Sequence, residues 1–384
     1  MPAKKTDGSL FWHIVLIYLL SRGVLEIIGV LSQFYFPSAR AIFPVTDLKY
    51  HQPQSPLLEM WARWDSEWYL LISEKGYHSY ESFREYGHGK YLPQDAAKFF
   101  PLYPLAVRGV SYLTRNSVLS GIFISNAATI LFLYYFYLLC SKLFDPESGL
   151  QGSLLYIFFP TSLFLSAVYA ESLFLAELVA CFYYLEEKKL FPAAVACTLT
   201  MLTRPQGILA IPALLVLVWW RFPERRPVAL FTISLACLLP LLAYSLYIQQ
   251  VFGSSGWIAQ SQQYWRGAMR YPLYALVRFA SGDIAIHGQH NSLIDLVFAM
   301  ANLLVLLVSF RRLPAPYFIY SVMIVLFPLS STLFSFSRLC IANFPFFLYL
   351  WSQIRGRWAL LIQMSFAMFL AFLMAAFANW YWVG

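Results

Sequence analysis

The chain has 384 residues, of which 60% are hydrophobic and only 12% are charged, and its mean hydropathy is +0.60. Soluble proteins carry about 25% charged residues, so this composition excludes an ordinary soluble domain and indicates an all-α polytopic membrane protein. The formal net charge of +8 would suggest nucleic acid as a partner of a soluble protein. In a membrane protein, lysines and arginines hold cytoplasmic loops instead, and no nucleic-acid partner is expected.

Eleven apolar spans are predicted along the chain. The first covers about 10–34 and is interpreted as a retained helix rather than a signal peptide, because it is long and carries two charged residues. A polar interval over about 37–98 follows. The next apolar stretch, 99–113, is short and holds two prolines, so it is interpreted as an interfacial or re-entrant helix. The other ten spans are predicted at about 117–140, 152–168, 171–186, 190–203, 207–220, 228–251, 291–310, 316–334, 339–354 and 358–382.

The short loops set the predicted orientation. If Lys4 and Lys5 lie inside, the inner connections carry 12 lysines and arginines and the short outer connections carry 5, which is the expected bias. The N-terminus is therefore predicted to be cytoplasmic, with outer loops at about 37–116 and 252–290 in a single transmembrane domain over 1–384. The compact loops favour a prokaryotic plasma membrane over the endoplasmic reticulum.

The stretch WARWDSEWYLLISEKGY (61–77) places Asp65 and Glu67 among aromatic residues in the first outer loop. A carboxylate at this position can accept a proton from an attacking hydroxyl, as a general base must. The two acids are two residues apart and point to different faces of a helix, so they are no obvious acid/base pair. The structural alternative is a solvated loop helix in which one acid pairs with Arg63.

Three more ionisable residues, Glu171, Arg204 and Arg338, are predicted at the same outer face, at the ends of spans. Pro205 disfavours helix at Arg204, and a broken helix can direct a cation into a cavity. Arginine suits phosphate because its planar fork makes bidentate contacts. The structural alternatives are a favourable helix N-terminus for Glu171 and lipid-headgroup contacts for the two arginines.

The remaining motifs point to structure rather than chemistry. Arg22 and Glu26 are one helical turn apart and are predicted to pair with each other. The loop histidines His78, His287 and His290 have no acid or cysteine at ligand spacing, and the five cysteines form no CxxC or Cys/His cluster, so no metal site is predicted. The chain contains no Walker loop, no GxGxxG before a helix and no HExxH, which disfavours nucleotide-driven transport and zinc hydrolysis.

Five stretches together resemble a known family. They follow one another along the chain as RWDSEWYLLISEKGY (63–77), FFPLYPL (99–105), FFPTSLFLSAVYAESLFL (158–175), LTRPQGIL (202–209) and SRLCIANFPFF (337–347). In this order they resemble the PIG-V family, the GPI mannosyltransferase 2 group and its prokaryotic relatives, within the GT-C glycosyltransferase fold. The resemblance covers most of the chain.

The resemblance implies an inverting glycosyltransferase that takes a sugar, such as mannose, from a polyprenyl- or dolichyl-phosphate donor at the outer face. Asp65 in RWDS matches the catalytic acid of the first outer loop, and Glu171 in YAES falls at the second outer turn, where related enzymes often carry acids. Enzymes of this fold with monophosphate donors are generally metal-independent, so no cofactor is expected. The acceptor is left open as a lipid or a glycan, and a glycosylphosphatidylinositol substrate is not assumed.

The predicted site therefore has Asp65 as general base and Arg204 and Arg338 as the cations that offset the charge of the donor phosphate. Substrate-binding or supporting roles are predicted for Glu67, Trp64, Tyr69, Glu171 and Gln206. The aromatic rings can stack on a sugar or anchor the chain at the membrane interface. The rival function is a transporter or flippase for a phosphate-bearing lipid, which predicts an internal repeat that the sequence does not show; a non-catalytic membrane scaffold is a third possibility.

Overall fold

The structure is a computed structural model that describes residues 8–39, 55–77, 92–281, 292–354 and 356–384. Lys4, Lys5, His78, His287 and His290 lie outside these residues, so the predictions that involve them are not addressed. Within the described ranges the secondary structure is helical and includes no β-strand. The predicted all-α class is therefore confirmed.

The helices follow one another with short connections. The α-helices are α1 (Gly8–Tyr35), α2 (Pro56–Glu59), α3 (Ser66–Lys75), α4 (Leu102–Thr114), α5 (Ser117–Leu143), α6 (Pro146–Phe158), α7 (Glu171–Glu186), α8 (Leu190–Thr203), α9 (Ile211–Arg221), α10 (Arg226–Phe252), α11 (Trp257–Arg266), α12 (Tyr274–Ala280), α13 (Leu293–Ser309), α14 (Ala315–Leu329), α15 (Phe336–Leu339), α16 (Phe344–Gln353) and α17 (Arg357–Ala378). Four short 3₁₀ helices lie between them, at Pro93–Lys98, Ser162–Leu165, Pro205–Ala210 and Cys340–Ala342.

Among the described residues, four helices are long and apolar enough to cross a membrane, namely α1, α5, α10 and α17. An α-helix rises about 1.5 Å per residue and needs about 20 residues to cross the hydrocarbon core. Further apolar helices of 10–17 residues, such as α8, α13 and α14, are too short for this by themselves. The protein is an integral membrane protein, and the number of eleven crossings stays a prediction.

The predicted helix boundaries are correct where the apolar runs lack proline. Helices α7 and α8 begin and end at the predicted residues, 171–186 and 190–203. The predicted span 152–168 is wrong, because α6 ends at Phe158. Pro160 restricts the residue before it to extended conformations, and the chain then turns through a 3₁₀ helix towards α7.

The first loop packs into the body of the protein instead of lying in solvent. Residues 66–73 of α3 are all buried. Trp68 stacks on Phe99 with ring centroids 5.5 Å apart, and Tyr69 meets the edge of Tyr103 at 5.0 Å. The structural alternative of a solvated loop helix is therefore wrong, and Arg63 pairs with Glu59 at 2.9 Å.

Arg22 and Glu26 do not pair with each other, so that prediction is wrong. Arg22 donates hydrogen bonds to the backbone carbonyls of Ile157, at 2.7 Å, and Ser162, at 3.1 Å. Glu26 accepts a hydrogen bond from the indole nitrogen of Trp61 at 2.7 Å. The carbonyls that the break after α6 leaves without helical partners thus find a charged donor, as a buried backbone requires. Both charged residues of α1 tie this helix to loops that lead into the site described below.

Gly121 of α5 sits against the segment that precedes α7, and its packing gives a testable prediction. A Cβ at Gly121 would lie 2.6 Å from Cγ1 of Val168, whose backbone N–H donates to the Trp61 carbonyl at 2.9 Å. We expect Gly121→Ala to lower the free energy of unfolding by about 1–3 kcal/mol, because overpacking forces Val168 to move.

Gly109 of α4 is the matched control, because a Cβ there meets nothing within 4 Å. Gly109→Ala should leave stability unchanged or raise it by up to about 1 kcal/mol through helix propensity. Thermal unfolding of both variants in detergent measures the difference. Equal effects of the two substitutions would contradict the proposed close packing.

Candidate active site

Asp65 lies where a tight turn leads into α3. The preceding residue, Trp64, has a positive φ of 58°, which is unusual for a bulky side chain. The turn is fixed by Tyr169, whose hydroxyl donates to the Arg63 carbonyl at 3.0 Å and accepts from the Asp65 N–H at 3.2 Å. The backbone therefore directs the Asp65 carboxylate, which remains 22% exposed, towards the residues around Tyr169.

Glu171 is the first residue of α7, and Arg204 follows the last residue of α8, so these two antiparallel neighbours meet at one end. Arg204 has extended backbone dihedrals before Pro205, as the sequence predicts. Its guanidinium forms an ion pair with the Glu171 carboxylate, and its Nε donates to Oε1 of Gln206 at 3.2 Å. Both charged side chains are almost fully buried, at 4% and 10% exposure, where charges persist only when they are paired.

Arg338 comes from the short helix α15, which the surrounding residues hold in place. Ser335 begins it with a positive φ of 63°. Asp295 of α13 accepts the Ser337 N–H at 2.7 Å, and Thr161 donates to the Ser337 carbonyl at 2.9 Å. Three backbone or side-chain anchors thus fix the helix turn on which the Arg338 side chain stands.

The four charged residues form one continuous array. Nη1 of Arg338 lies 2.8 Å from Oδ2 of Asp65, and its Nε lies 3.4 Å from Oε1 of Glu171. Glu171 in turn pairs with Arg204. Asp65, Glu171, Arg204 and Arg338 are more than 100 residues apart at the extremes of this set, and the fold brings all four together.

Aromatic rings enclose the Arg338 guanidinium. Its central carbon lies 5.5 Å from the ring centre of Phe164, 5.3 Å from Tyr169 and 5.1 Å from Trp382. A cation over an aromatic face is attracted by the ring quadrupole. The rings and the two carboxylates together keep this buried cation charged at a defined position.

The array shifts the pKa values of its members. Burial acts to raise the pKa of Asp65, but Arg338, Lys98 and Arg204 outweigh it and hold this pKa below its ordinary value. For Arg338, burial opposes the charge and the two carboxylates more than compensate, so its pKa is raised. Lys98 lies in the same electrostatic field, and burial lowers its pKa to about 7, with Asp65 opposing and Arg338 adding to the shift.

The predicted supporting residues occupy different positions. Glu67 is buried, at 2% exposure. Trp64 packs edge-on against Trp382, with ring centroids 5.6 Å apart, and so belongs to the wall beside Arg338. Tyr69 lies between Phe99, Tyr103 and Tyr169 in the core of the first loop. The predicted substrate roles of these three residues stay predictions.

Sequence reasoning did not single out four residues that shape the site, namely Lys98, Tyr169, Asp295 and Trp382. Asp295 could have been found, because an acid near the start of an apolar helix is a functional candidate by default. Lys98 adjoins the FFPLYPL motif and carried no other signal. Tyr169 and Trp382 resemble the many other aromatic residues of the chain, and only the fold distinguishes them.

A small pocket opens beside the array. Glu171, Arg204, Gln206 and Arg338 line one part of it, and the other part is apolar. The apolar lining consists of Phe174, Leu339, Ile341 and Ala342. Such a pocket fits an amphipathic ligand with a charged head and a hydrocarbon portion.

The fold and the site define a helical integral membrane protein with a buried array of arginines and carboxylates at the ends of its helices. The sequence profile of the family described as Mannosyltransferase (PIG-V) matches residues 39–252. The chain belongs to this mannosyltransferase family, which confirms the predicted family and the glycosyltransferase class.

Comparisons with individual proteins are more distant. No curated protein sequence matches the chain. Two structures of the Archaeoglobus fulgidus oligosaccharyltransferase, one tethered with an acceptor peptide and one in the apo form, are similar to it at 12% and 13% identity. Each alignment covers 95% of this chain, with TM-scores of 0.43 and 0.45. The chain spans about half the length of these proteins, 55% and 56% of theirs.

Asp295 gives a prediction about how the site is held. Asp295→Ala removes the acceptor of the Ser337 N–H and should lower the free energy of unfolding by about 1–3 kcal/mol, because a buried donor is left unsatisfied. Asp295→Asn keeps an oxygen in that place and should cost less.

Leu293→Ala, on the same helix at a side chain 44% exposed, is the control for simple truncation. Thermal unfolding of the three variants gives the ranking. If Asp295→Asn is as destabilising as Asp295→Ala, the anchor of α15 is the charge of Asp295 and not its hydrogen bond.

Proposed function

We propose that the protein is an inverting mannosyltransferase that moves mannose from a polyprenyl-phosphate (or dolichyl-phosphate) donor to a lipid or glycan acceptor. The observation that carries this proposal is the array in which Arg338 bridges Asp65 and Glu171 while Arg204 pairs with Glu171. It combines a partly exposed carboxylate with two buried arginines, which are the groups that such a transfer needs. Membership of the mannosyltransferase family supports the same reaction.

In the proposed reaction Asp65 accepts the proton of the acceptor hydroxyl as that oxygen attacks the anomeric carbon. The bond between this carbon and the phosphate oxygen breaks on the opposite face, so the configuration inverts. Arg338 and Arg204 offset the charge that develops on the departing lipid phosphate, in a site where burial strengthens electrostatic interactions. A phosphate leaves without an added proton, so one base and two cations are a sufficient set.

The surroundings of the array suit the two ends of the donor. The apolar part of the pocket, at Phe174, Ile341 and Ala342, is a suitable surface for the first part of the lipid, next to the arginines that would hold its phosphate. Three buried polar atoms near Asp65 and Arg338 have no hydrogen-bond partner among the described residues: the indole nitrogens of Trp64 and Trp382 and the hydroxyl of Ser66. Buried polar groups are normally satisfied, and sugar hydroxyls would satisfy these.

We further propose a GT-C fold with eleven crossings, a cytoplasmic N-terminus and the site at the outer face of a prokaryotic plasma membrane. The distribution of lysines and arginines in the short loops supports this orientation. We also propose that the reaction needs no metal ion. The Arg338 guanidinium already lies between the carboxylates of Asp65 and Glu171, where a divalent cation would otherwise neutralise them. Activity that survives a chelator would support this, and restoration by added Mg²⁺ or Mn²⁺ would contradict it.

The direct test is transfer by the purified protein. It is incubated with polyprenyl-phosphate mannose that carries a radiolabel in the sugar, together with membrane lipids from a prokaryotic host. A new labelled glycolipid or glycan that depends on the protein supports the proposal. Movement of the donor across a vesicle membrane without a new bond would instead identify a flippase.

Asp65 gives the first prediction for this reaction. Asp65→Asn keeps the shape of the side chain but removes its basicity, and transfer should fall by roughly 10²–10⁴-fold, the usual contribution of a general base. The measurement is the initial rate of mannose transfer. Glu74→Gln is the control, since Glu74 is an exposed acid on the same helix that contacts Ser117 away from the site. A normal rate for Asp65→Asn would remove Asp65 as the base.

Arg204 gives a prediction for donor binding. Arg204→Gln removes one charged contact to the phosphate and should raise the KM for the donor roughly 10- to 100-fold. Arg115→Gln is the control, because Arg115 is exposed at the end of α4 and outside the site. Steady-state rates over a range of donor concentrations separate KM from kcat. An unchanged donor KM in Arg204→Gln would place the phosphate elsewhere.

A further inference from the structure

We infer that the donor phosphate and Asp65 compete for the same guanidinium, that of Arg338. Binding of the donor would then release Asp65, so that only the donor-loaded site activates an acceptor. The inference rests on the proposed function, because it assumes that a lipid phosphate binds at the array. It adds a control of the order of events within that site.

The first step is the way in which Arg338 is occupied. Its Nη1 lies 2.8 Å from Asp65 and its Nε lies 3.4 Å from Glu171. Aromatic rings of Phe164, Tyr169 and Trp382 surround its central carbon at 5.1–5.5 Å. A guanidinium binds phosphate through the N–H groups along its edge. An oxygen of the donor phosphate that takes Nη1 must therefore replace the Asp65 carboxylate there.

The second step concerns which of the two carboxylates yields. Glu171 is 4% exposed and is held by Arg204 as well as by Arg338. Asp65 is 22% exposed, and Arg338 is the partner of its carboxylate in the array. Leaving Arg338 exposes Asp65 to the acceptor and to solvent, whereas Glu171 would have to leave two arginines in a buried position. Asp65 is the exchangeable ligand.

The third step is the charge of the site. The groups that face Asp65 from the surrounding elements are Arg338, Arg204 and Lys98, which are cations, and the acid Glu171, together with the phenols Tyr69 and Tyr169. Burial raises the pKa of Tyr69, so this phenol stays neutral. With Lys98 protonated there are three cations and two carboxylates. A phosphodiester donor brings one negative charge, which balances the site and replaces Asp65 as the partner of Arg338.

The consequence for catalysis follows from the state of the base. A carboxylate that accepts a strong hydrogen bond from a guanidinium is a weak proton acceptor. When the phosphate takes Arg338, Asp65 loses that bond and gains an anionic neighbour, and both changes increase its affinity for a proton. The base is therefore weak in the empty site and strong in the loaded one, and transfer follows an order in which the donor binds first.

A double-mutant cycle on donor binding tests the competition without any transfer. The probe is a polyprenyl methyl phosphodiester, which carries one charge over the whole pH range of the assay, and its Kd is measured for wild type, Asp65→Asn, Arg338→Gln and the double variant. Competition predicts that Asp65→Asn tightens binding about fivefold or more, because Arg338 is free to bind the phosphate. In the Arg338→Gln background the same substitution should change Kd less than about twofold. An equal tightening in both backgrounds would mean that Asp65 acts only through its long-range charge, and the inference would fail.

The pH dependence of binding gives a second test that uses the wild-type protein. Because Asp65 holds its proton more tightly in the loaded site, affinity should rise as the pH falls through the pKa of Asp65 in that site, by up to about tenfold per pH unit. Lys98 also titrates, near pH 7, and its protonation favours the anion at a higher pH. Asp65→Asn should keep the change near pH 7 and lose the one at lower pH, whereas Glu171→Gln should keep both. A wild-type profile that is flat below pH 6 would overturn the inference.

The two hypotheses can fail separately. If the phosphodiester does not bind to the wild-type protein, the proposed function is wrong. If it binds but the cycle shows no coupling between Asp65 and Arg338, only the competition is wrong. Size-exclusion profiles and thermal unfolding show whether each variant is folded, and the wild-type pH profile remains decisive if Arg338→Gln is not.

Discussion

The ion pair between Asp65 and Arg338 is the interaction on which the rest of the site depends. It joins the first loop to the short helix α15, which are 273 residues apart in sequence. Removing either charge leaves the other buried in a low-dielectric surrounding, where an unpaired ion costs several kcal/mol. The array therefore fixes the mutual position of four chain segments, and it does so with the same groups that are proposed to carry the chemistry.

The helix breaks of the protein are explained by what this array requires. Pro160 ends α6 and Pro205 follows α8, so the segments that bear Tyr169 and Arg204 leave the helical path close to the array. Irregular backbone inside a membrane protein persists only where its polar groups find partners. Arg22 and Thr161 supply such partners, as donors to the carbonyls of Ile157, Ser162 and Ser337. Each break that positions a site residue is thus stabilised by a polar side chain from another helix.

Part of this arrangement could be predicted from the sequence and part could not. Ionisable residues at the ends of apolar runs identified Asp65, Glu171, Arg204 and Arg338, because charges in such places need a reason. Their partners could not be predicted, since contacts between distant segments depend on packing; Arg22 and Glu26 look like a pair by spacing and bind elsewhere. Asp295 and Tyr169 act through backbone groups of Ser337 and Asp65, and no residue pattern records such bonds. The span 152–168 failed because hydropathy does not register the turn that Pro160 causes.

Stability and catalysis place opposite demands on this site, and the arrangement of charges reconciles them. A buried carboxylate is stable when a guanidinium neutralises it, yet the same contact weakens it as a base. A site that binds an anionic substrate can meet both demands in turn, because its own carboxylate neutralises the arginine when the site is empty and the phosphate does so when it is full. The alternation of carboxylates and arginines along the array, with Lys98 beside it, is what such an exchange requires. On this argument Arg338 has no purely structural and no purely catalytic role, because its partner changes with the state of the site.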